Sequence, residues 1–338
     1  MALLFFDNFG GYATADLAKA GWNLITGGTA GTVVSSGGRQ SGPYFQTATL
    51  AFVSEYRTTG FAASATVTVG FAFIGVTTFT GNTLVGFYDN GTIQCALAIL
   101  GTGQLRVVRG TTTDVTSGTS VSALAIDTWY YIEMKVTIAD SIGAGTCEVR
   151  VNGSTWITVA TGQDLKSTAN ATCNMVSFGK LIALSATFRY TDIYIDNGTT
   201  FLGDCTVSTL TVSGAGTTNT LTTGTSADVD DATPDSDSTY AESAVNGQLA
   251  TFAMSNLPSV PTTIHAVSPQ NCVRKTDGGA KQFGAVVRSG GTDYVQATAN
   301  ALDSFIYDAP ILTVDPATGV AWVAAGVNAV EVGVKVLS

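Results

Sequence analysis

Charge is what this chain has least of. Only 12% of its 338 residues are Asp, Glu, Lys or Arg, against roughly 25% in an ordinary soluble domain. Histidine occurs once, at His265. A single histidine excludes H-E-x-x-H zinc sites and any multi-histidine metal centre. A Ser–His–Asp arrangement would need His265 as its base, and no G-x-S-x-G elbow is present to hold a nucleophile. Phosphate-binding fingerprints are missing as well, since Gly179-Lys180 is followed by Leu181 rather than Ser or Thr. Such a chain has little with which to do acid, base or metal chemistry.

Cysteine is sparse and odd in number. Cys95, Cys147, Cys173, Cys205 and Cys272 are widely spaced, with no C-x-x-C pair. Disulfide frameworks and zinc sites both need closer, paired spacing, so these five read as reduced thiols, with Cys147 a small core hydrophobe beside Val149 and Val151. Long apolar runs are absent too. Thr interrupts the stretch Ala65–Gly81, a strand pattern and not a lipid-facing helix. Residues 1–6 are apolar but lack a basic flank and meet Asp7 too soon for a signal peptide, which points to synthesis in a cytosol. The net charge of −10, with 15 scattered basic residues, argues against nucleic acid as a partner.

What is present is sheet-forming material: Gly, Thr, Ser, Ala and Val in short alternating runs, 45% hydrophobic overall. The length suits two β-domains. One short helix is expected, capped by Thr14, with Asp16 in its first turn, Leu17 and Ala20 apolar, and Gly21 as its stop. Elsewhere strands alternate with turns. Asp89-Asn90-Gly91 and Asn152-Gly153 are hairpin signals, and Gly101-Thr102-Gly103 turns the chain into Gln104–Arg109. In Trp129–Ile138 the alternation puts Tyr130, Ile132, Met134, Val136 and Ile138 on one face. Tyr131, Glu133, Lys135 and Thr137 fall on the other, so Glu133 and Lys135 are expected on the wetter side. Thr146–Val151 buries Cys147, Val149 and Val151; Phe178–Ala183 and Thr187–Asp196 are further strands. Residues 206–238 are rich in Thr, Ser, Gly and Asp and read as an exposed connection. A second β-domain follows at 239–338, with strands expected at Thr263–Val267 (holding a structural His265), Phe283–Val287, Tyr294–Ala297, Ser304–Tyr307, Val320–Ala324 and Glu331–Val336.

Several short motifs, in order, carry a likeness. They are Phe6-Asp7-Asn8-Phe9-Gly10-Gly11-Tyr12 through Leu17 with Trp22, then Gly38-Arg39-Gln40-Ser41-Gly42, and Thr128-Trp129-Tyr130-Tyr131-Ile132-Glu133. Glu148–Gly153, Tyr190-Thr191-Asp192-Ile193-Tyr194 and Phe201-Leu202-Gly203-Asp204 follow. Over residues 1–205 they resemble a family of tailed-bacteriophage virion proteins with a concanavalin A-like (lectin/glucanase, laminin-G-like) jelly-roll domain. The ending, Asp315-Pro316 through Trp322 and Asn328–Gly333, resembles the C-terminal part of the same proteins. Two places depart from the pattern: Thr191-Asp192 stands where paired aspartates are common, and Gln40 and Ser41 loosen the glycine pattern after Arg39. No metal or sugar site is carried over through those positions.

The resemblance raises the question of a glycosidase. Asp192 and Asp196 are the nearest candidates, on one face of a strand with Tyr194 between them. Four residues of strand separate their backbones by about 13 Å, whereas a catalytic pair needs roughly 5–5.5 or 6.5–9.5 Å between carboxyls. Solvated or turn-capping aspartates are the better reading. The acids Asp228, Asp230, Asp231, Asp235 and Asp237 lack the central Gly and terminal Glu of an EF-hand loop. A structural Ca²⁺ is compatible with the fold, but no residue set identifies one. Phe5, Phe6, Phe9, Tyr12, Trp22, Tyr44, Phe45 and Tyr56 could stack on sugars; packing in a sandwich core explains them better.

The expectation is therefore an all-β chain: a concanavalin A-like jelly roll at 1–205, a connection at 206–238, and a smaller β-sandwich-like domain at 239–338. It has no catalytic, cofactor-binding or metal residues, and its ligand-binding residues are unknown. The function expected is that of a virion structural protein in a tail fibre, spike or tail tip with lectin-like contact to host-surface glycan. The alternatives are a capsid decoration (head fibre or cement) protein and a polysaccharide-degrading glycoside hydrolase. Its partners would be other virion proteins and its own copies, a trimer being the guess, with no nucleic acid and no membrane insertion. Its place is the virion, assembled in the host cytoplasm.

Overall fold

A computed structural model describes residues 2–25, 28–48, 54–79, 81–140, 142, 144–181 and 185–338. Its contacts divide the chain into two units, the first made of Met1–Gly10 and Gly21–Val207, the second of Gly11–Ala20 and Ser208–Ser338. The first unit opens with β1 (Leu3–Asp7), β2 (Trp22–Leu24), β3 (Thr32–Val34), β4 (Tyr44–Gln46) and β5 (Ser54–Thr58). It continues with β6 (Thr66–Gly75), β7 (Asn82–Asp89), β8 (Thr92–Ile99), β9 (Gln104–Arg109) and β10 (Thr113–Ala123). It ends with β11 (Tyr130–Thr137), β12 (Gly145–Val151), β13 (Ser154–Gln163), β14 (Met175–Lys180) and β15 (Phe188–Asp196). The second holds β16 (Val212–Asn219), β17 (Leu249–Met254), β18 (Asn271–Val273), β19 (Lys281–Ser289), β20 (Thr292–Ala301), β21 (Ile306–Asp308), α1 (Ala324–Asn328) and β22 (Glu331–Val336).

The chain is all-β, and the first unit is a jelly-roll sandwich. One sheet runs β13-β12-β11-β6-β15-β4-β3 with β1 also on β15; the other runs β10-β9-β8-β7-β14-β5-β2. Aromatic side chains join them. Phe71 and Tyr190 of the first sheet meet Phe178 of the second at ring-centroid distances of 5.3 and 6.0 Å. Trp22 packs on Phe9 and Phe178, and its indole donates to Asp7 Oδ2 at 2.6 Å, which satisfies the polar end of a buried aromatic. The two hairpin signals form as expected: Asn90-Gly91 and Asn152-Gly153 all have positive φ, as a type I′ turn requires. In β12 the burial alternates strictly, with Cys147, Val149 and Val151 inside.

The second unit is built on the antiparallel sheet β16-β17-β22-β19-β20, with β18 and β21 as a separate pair. Val287, Trp322, Val327 and Val330 form a core against which Leu210, Leu257, Ile264, Val267 and Leu312 pack.

Several elements differ from expectation. Residues 14–16 form one 3₁₀ turn whose N-cap position is Ala13, not Thr14, and it lies among the contacts of the second unit. The expected connection holds a strand, β16, whose burial alternates within the five-stranded sheet. Thr263–Val267 is not a strand; it makes one isolated bridge, Val267 to Leu312, and His265 is exposed. Val320–Ala324 is not a strand either. Trp322 is drawn into the core, its indole donating to Leu312 O at 2.9 Å, and the chain then turns into α1. The strand expected at Phe178–Ala183 spans Met175–Lys180; Ile182 and Ala183 lie outside the described residues. Glu133, expected on a wetter face, is 1% exposed, and Tyr131 beside it is buried too.

Candidate functional site

Burial of Glu133 follows from what lies over the outer face of the eight-stranded sheet. Residues directly opposite in a ladder share a face, and the register lines up three rows there. They are Tyr131–Ala72–Thr191, Glu133–Gly70–Tyr194 and Lys135–Thr68–Asp196. Residues 199–207, after β15, fold back across these rows. Leu202 and Cys205 pack on Ala72, Tyr131 and Tyr194, and the Phe201 ring takes Lys135 and Arg150 on its π-face at 4.6 and 4.2 Å.

Carboxylates hold this strap. Glu133 Oε1 accepts from the Tyr194 hydroxyl and from the Gly203 N–H at 2.9 Å. Tyr194 reaches Glu133 because its ring lies over Gly70, where a Cβ would stand 2.1 Å from the ring. Asp192 Oδ1 accepts the Val207 N–H at 2.9 Å, and Oδ2 faces Arg39 Nη1 at 3.4 Å. Arg39 also donates to Cys205 O at 3.0 Å and pairs with Asp204. Asp192 sits at a bulge between Thr191 and Tyr194 with φ +51°, a strained position for a non-glycine residue. Asp196 accepts the Gly198 N–H, so the two aspartates weighed as a catalytic pair serve separate anchors.

Burial pushes the Asp192 carboxyl up to about 6, against the opposing pull of the Val207 N–H and Arg39. Burial likewise pushes the Cys205 thiol up to about 12, and it raises the phenols of Tyr131 and Tyr194, both buried beside these acids.

The outer face of the seven-stranded sheet carries a smaller constellation. Glu55 is 1% exposed and accepts from the Tyr88 hydroxyl. The Arg57 guanidinium lies 4.0 Å over the Tyr88 ring. At the end of the same sheet, Asp89 Oδ2 takes Thr168 Oγ1 at 2.7 Å and Asn170 Nδ2 at 3.0 Å, tying down the loop before β14. Lys180, fully buried, donates to Ala48 O and Ala186 O, and burial lowers its pKa. All five carboxylates buried in the first unit among the described residues, Glu55, Asp89, Glu133, Asp192 and Asp196, therefore meet donors of the same unit.

The other sequence candidates are not brought into one site. Phe9, Tyr12, Trp22, Tyr44, Phe45 and Tyr56 are buried, which removes them as open sugar platforms. Phe5 is half-buried edge-on against Trp22, and Phe6 packs in the strap cluster. Of the acids at 228–237, Asp228 closes a capping box with Thr225, and Asp231 and Asp235 both face the Thr239 hydroxyl. Asp237 pairs with Arg274. Among the described residues no group of three or more His, Cys, Asp or Glu side chains is placed to hold a metal ion, and all five cysteines are free thiols. The anchoring roles of Glu133, Arg39 and Glu55 are not legible in the sequence. The motif around Arg39 was visible, but its partner lies 153 residues away.

No protein-family model matches the chain, and no curated protein matches it. Among solved structures it is similar to alginate lyase Aly36B (TM-score 0.36, 12% identity, 56% of this chain and 95% of the lyase). It is also similar to the carbohydrate recognition domain of Emp46p in its metal-free form (0.38, 8%, 57% of this chain and 99% of that domain). A third likeness is to Trypanosoma rangeli sialidase (0.34, 12%, 52% of this chain and 30% of the sialidase).

Two outcomes are expected. Gly70→Ala displaces the Tyr194 ring from Glu133 and costs the first unit about 1–3 kcal/mol, readable in denaturant unfolding. The second concerns Asp192, whose folded pKa of about 6 lies above the ordinary 3.8. The folded state then binds the proton more tightly, so this group's contribution to stability is greatest below pH ~4. It is lost as pH rises to ~6, by about 3 kcal/mol at most. Carboxyl ¹³C titration of Asp192 checks the midpoint, and Asp192→Asn removes that part of the pH dependence.

Proposed function

We propose that the chain is a structural protein of a tailed-bacteriophage virion whose jelly roll is displayed on the particle and contacts host-surface glycan without cleaving it. The observation that carries this reading is the engagement of the five buried carboxylates of the first unit. General acid–base work on a glycosidic bond needs a carboxyl whose proton or lone pair faces the substrate. Here Glu133 and Asp192 face Tyr194, Gly203, Arg39 and Val207. The acids hold the scaffold together, which supports a reading in which the unit binds by shape. The ordered motifs from Phe6-Asp7-Asn8-Phe9 to Phe201-Leu202-Gly203-Asp204, with their likeness to virion jelly rolls, support the placement on a particle.

Incubation with host-surface polysaccharides tests this reading, with reducing ends and a glycan array read in parallel. The expected result is retention of one glycan class with no release of reducing ends. Turnover that Asp192→Asn abolishes would replace the proposal with a glycoside hydrolase. Immunogold labelling of intact particles with an antibody to the jelly roll is expected at the tail; labelling over the capsid instead would assign the chain to decoration.

A further inference from the structure

The dipeptide Asn-Gly occurs four times, at 90–91, 152–153, 197–198 and 246–247. Such a pair is prone to internal attack, because a glycine without a Cβ lets its own nitrogen approach the asparagine amide carbon. The fold decides whether that approach is open. In three of the four pairs the asparagine side chain is tied to other residues. Asn90 Oδ1 accepts from Asn174 Nδ2 at 2.9 Å, while its Nδ2 donates to Asp89 Oδ1 at 3.2 Å. Asn152 Oδ1 accepts the Tyr131 N–H at 2.8 Å, and Asn197 Oδ1 accepts the Ala2 N–H at 2.8 Å. Asn246 differs. It is exposed, and its side-chain amide makes no hydrogen bond among the described residues. Gln248 N–H donates to Val245 O at 3.3 Å, closing a turn with Asn246 and Gly247 at its centre, just before β17. Gly247 is exposed too, has φ +89°, and a Cβ built on it would meet nothing within 4 Å. The bond that opposes attack here is a single one, from Gly247 N–H to O of Val336, the last residue of β22, at 2.9 Å.

We propose that Asn246 is a site of spontaneous covalent modification in the folded chain, deamidating through a succinimide ahead of the other three asparagines. The Gly247 nitrogen forms a bond to Asn246 Cγ and gives up its proton. The Cγ–Nδ2 bond breaks, and the side-chain nitrogen leaves with that proton as ammonia. Water then adds to either carbonyl of the ring, giving an aspartyl or an isoaspartyl residue at this position. Both products add a negative charge, and the isoaspartyl form also adds a methylene to the main chain. That extra length falls on the rung where Gly247 N–H meets Val336 O and Val336 N–H meets Gln248 O, each at 2.9 Å. Asn90, Asn152 and Asn197 must first shed their side-chain bonds, a cost that sets them at least about tenfold slower. The chemistry needs water alone, so it proceeds whether or not the jelly roll holds a sugar.

Timed incubation of the full chain in mildly alkaline buffer tests the proposal, with peptide mapping by mass spectrometry and isoaspartate detection. The same chain unfolded in denaturant is run alongside. In the folded chain conversion at Asn246 is expected at least about tenfold faster than at Asn90, Asn152 or Asn197. Once the chain is unfolded, all four sites are expected to react at comparable rates. Asn246→Gln is expected to remove the early ammonia release, and the modified chain to lose amide protection at Val336. Conversion that begins at Asn90, Asn152 or Asn197 in the folded chain overturns the proposal, as does equal conversion at all four. So does a folded chain that stays intact at Asn246 over the time in which the unfolded chain reacts. Should Asn246→Gln misfold, the site-resolved map of the unsubstituted chain still decides.

Discussion

A carboxylate removed from water must be met by donors, and in the first unit that requirement fixes the course of the chain after β15. Asp192 and Glu133 are 4% and 1% exposed. Unpaired, each would carry a desolvation cost of several kcal/mol. The Val207 and Gly203 N–H groups, the Tyr194 hydroxyl and Arg39 meet it, and two of those four partners, Val207 and Gly203, belong to the strap that lies across the sheet. Apolar packing of Leu202 and Cys205 on Tyr131 and Tyr194 supplies the driving force; the acids supply register. Asp192 contributes at the expense of a left-handed backbone, a strain that persists because the surrounding bonds over-determine it.

Low overall charge gives this arrangement its meaning. With few ionisable groups to spend, the chain places five carboxylates inside its first unit and pairs them there.

Local physics was legible in the sequence. The Asn-Gly turns at 90–91 and 152–153 and the alternation of Thr146–Val151 depend on a few neighbouring residues, and they formed as the pattern implied. Positions decided by distant partners were not legible. Glu133 alternates correctly in β11, yet the strap that buries it lies about 70 residues further on. A bulge at Asp192 interrupts the two-residue period that put it in step with Asp196. Thr263–Val267 and Val320–Ala324 are rich in strand formers, but Val267 and Trp322 were claimed by the core around Val287 and Val327, and packing overrode propensity. The acids that order the first unit were thus visible as residues and invisible as a set.

Hydrogen exchange at Gly203 and Val207 tests the claim that these acids are anchors. If Glu133 and Asp192 hold the strap, both amides exchange as slowly as those of β11, and each loses protection when its own acid becomes alanine while the other does not. Exchange at the rate of an open loop in the unmodified chain would contradict the account, since carboxylates free of the strap would be available for chemistry.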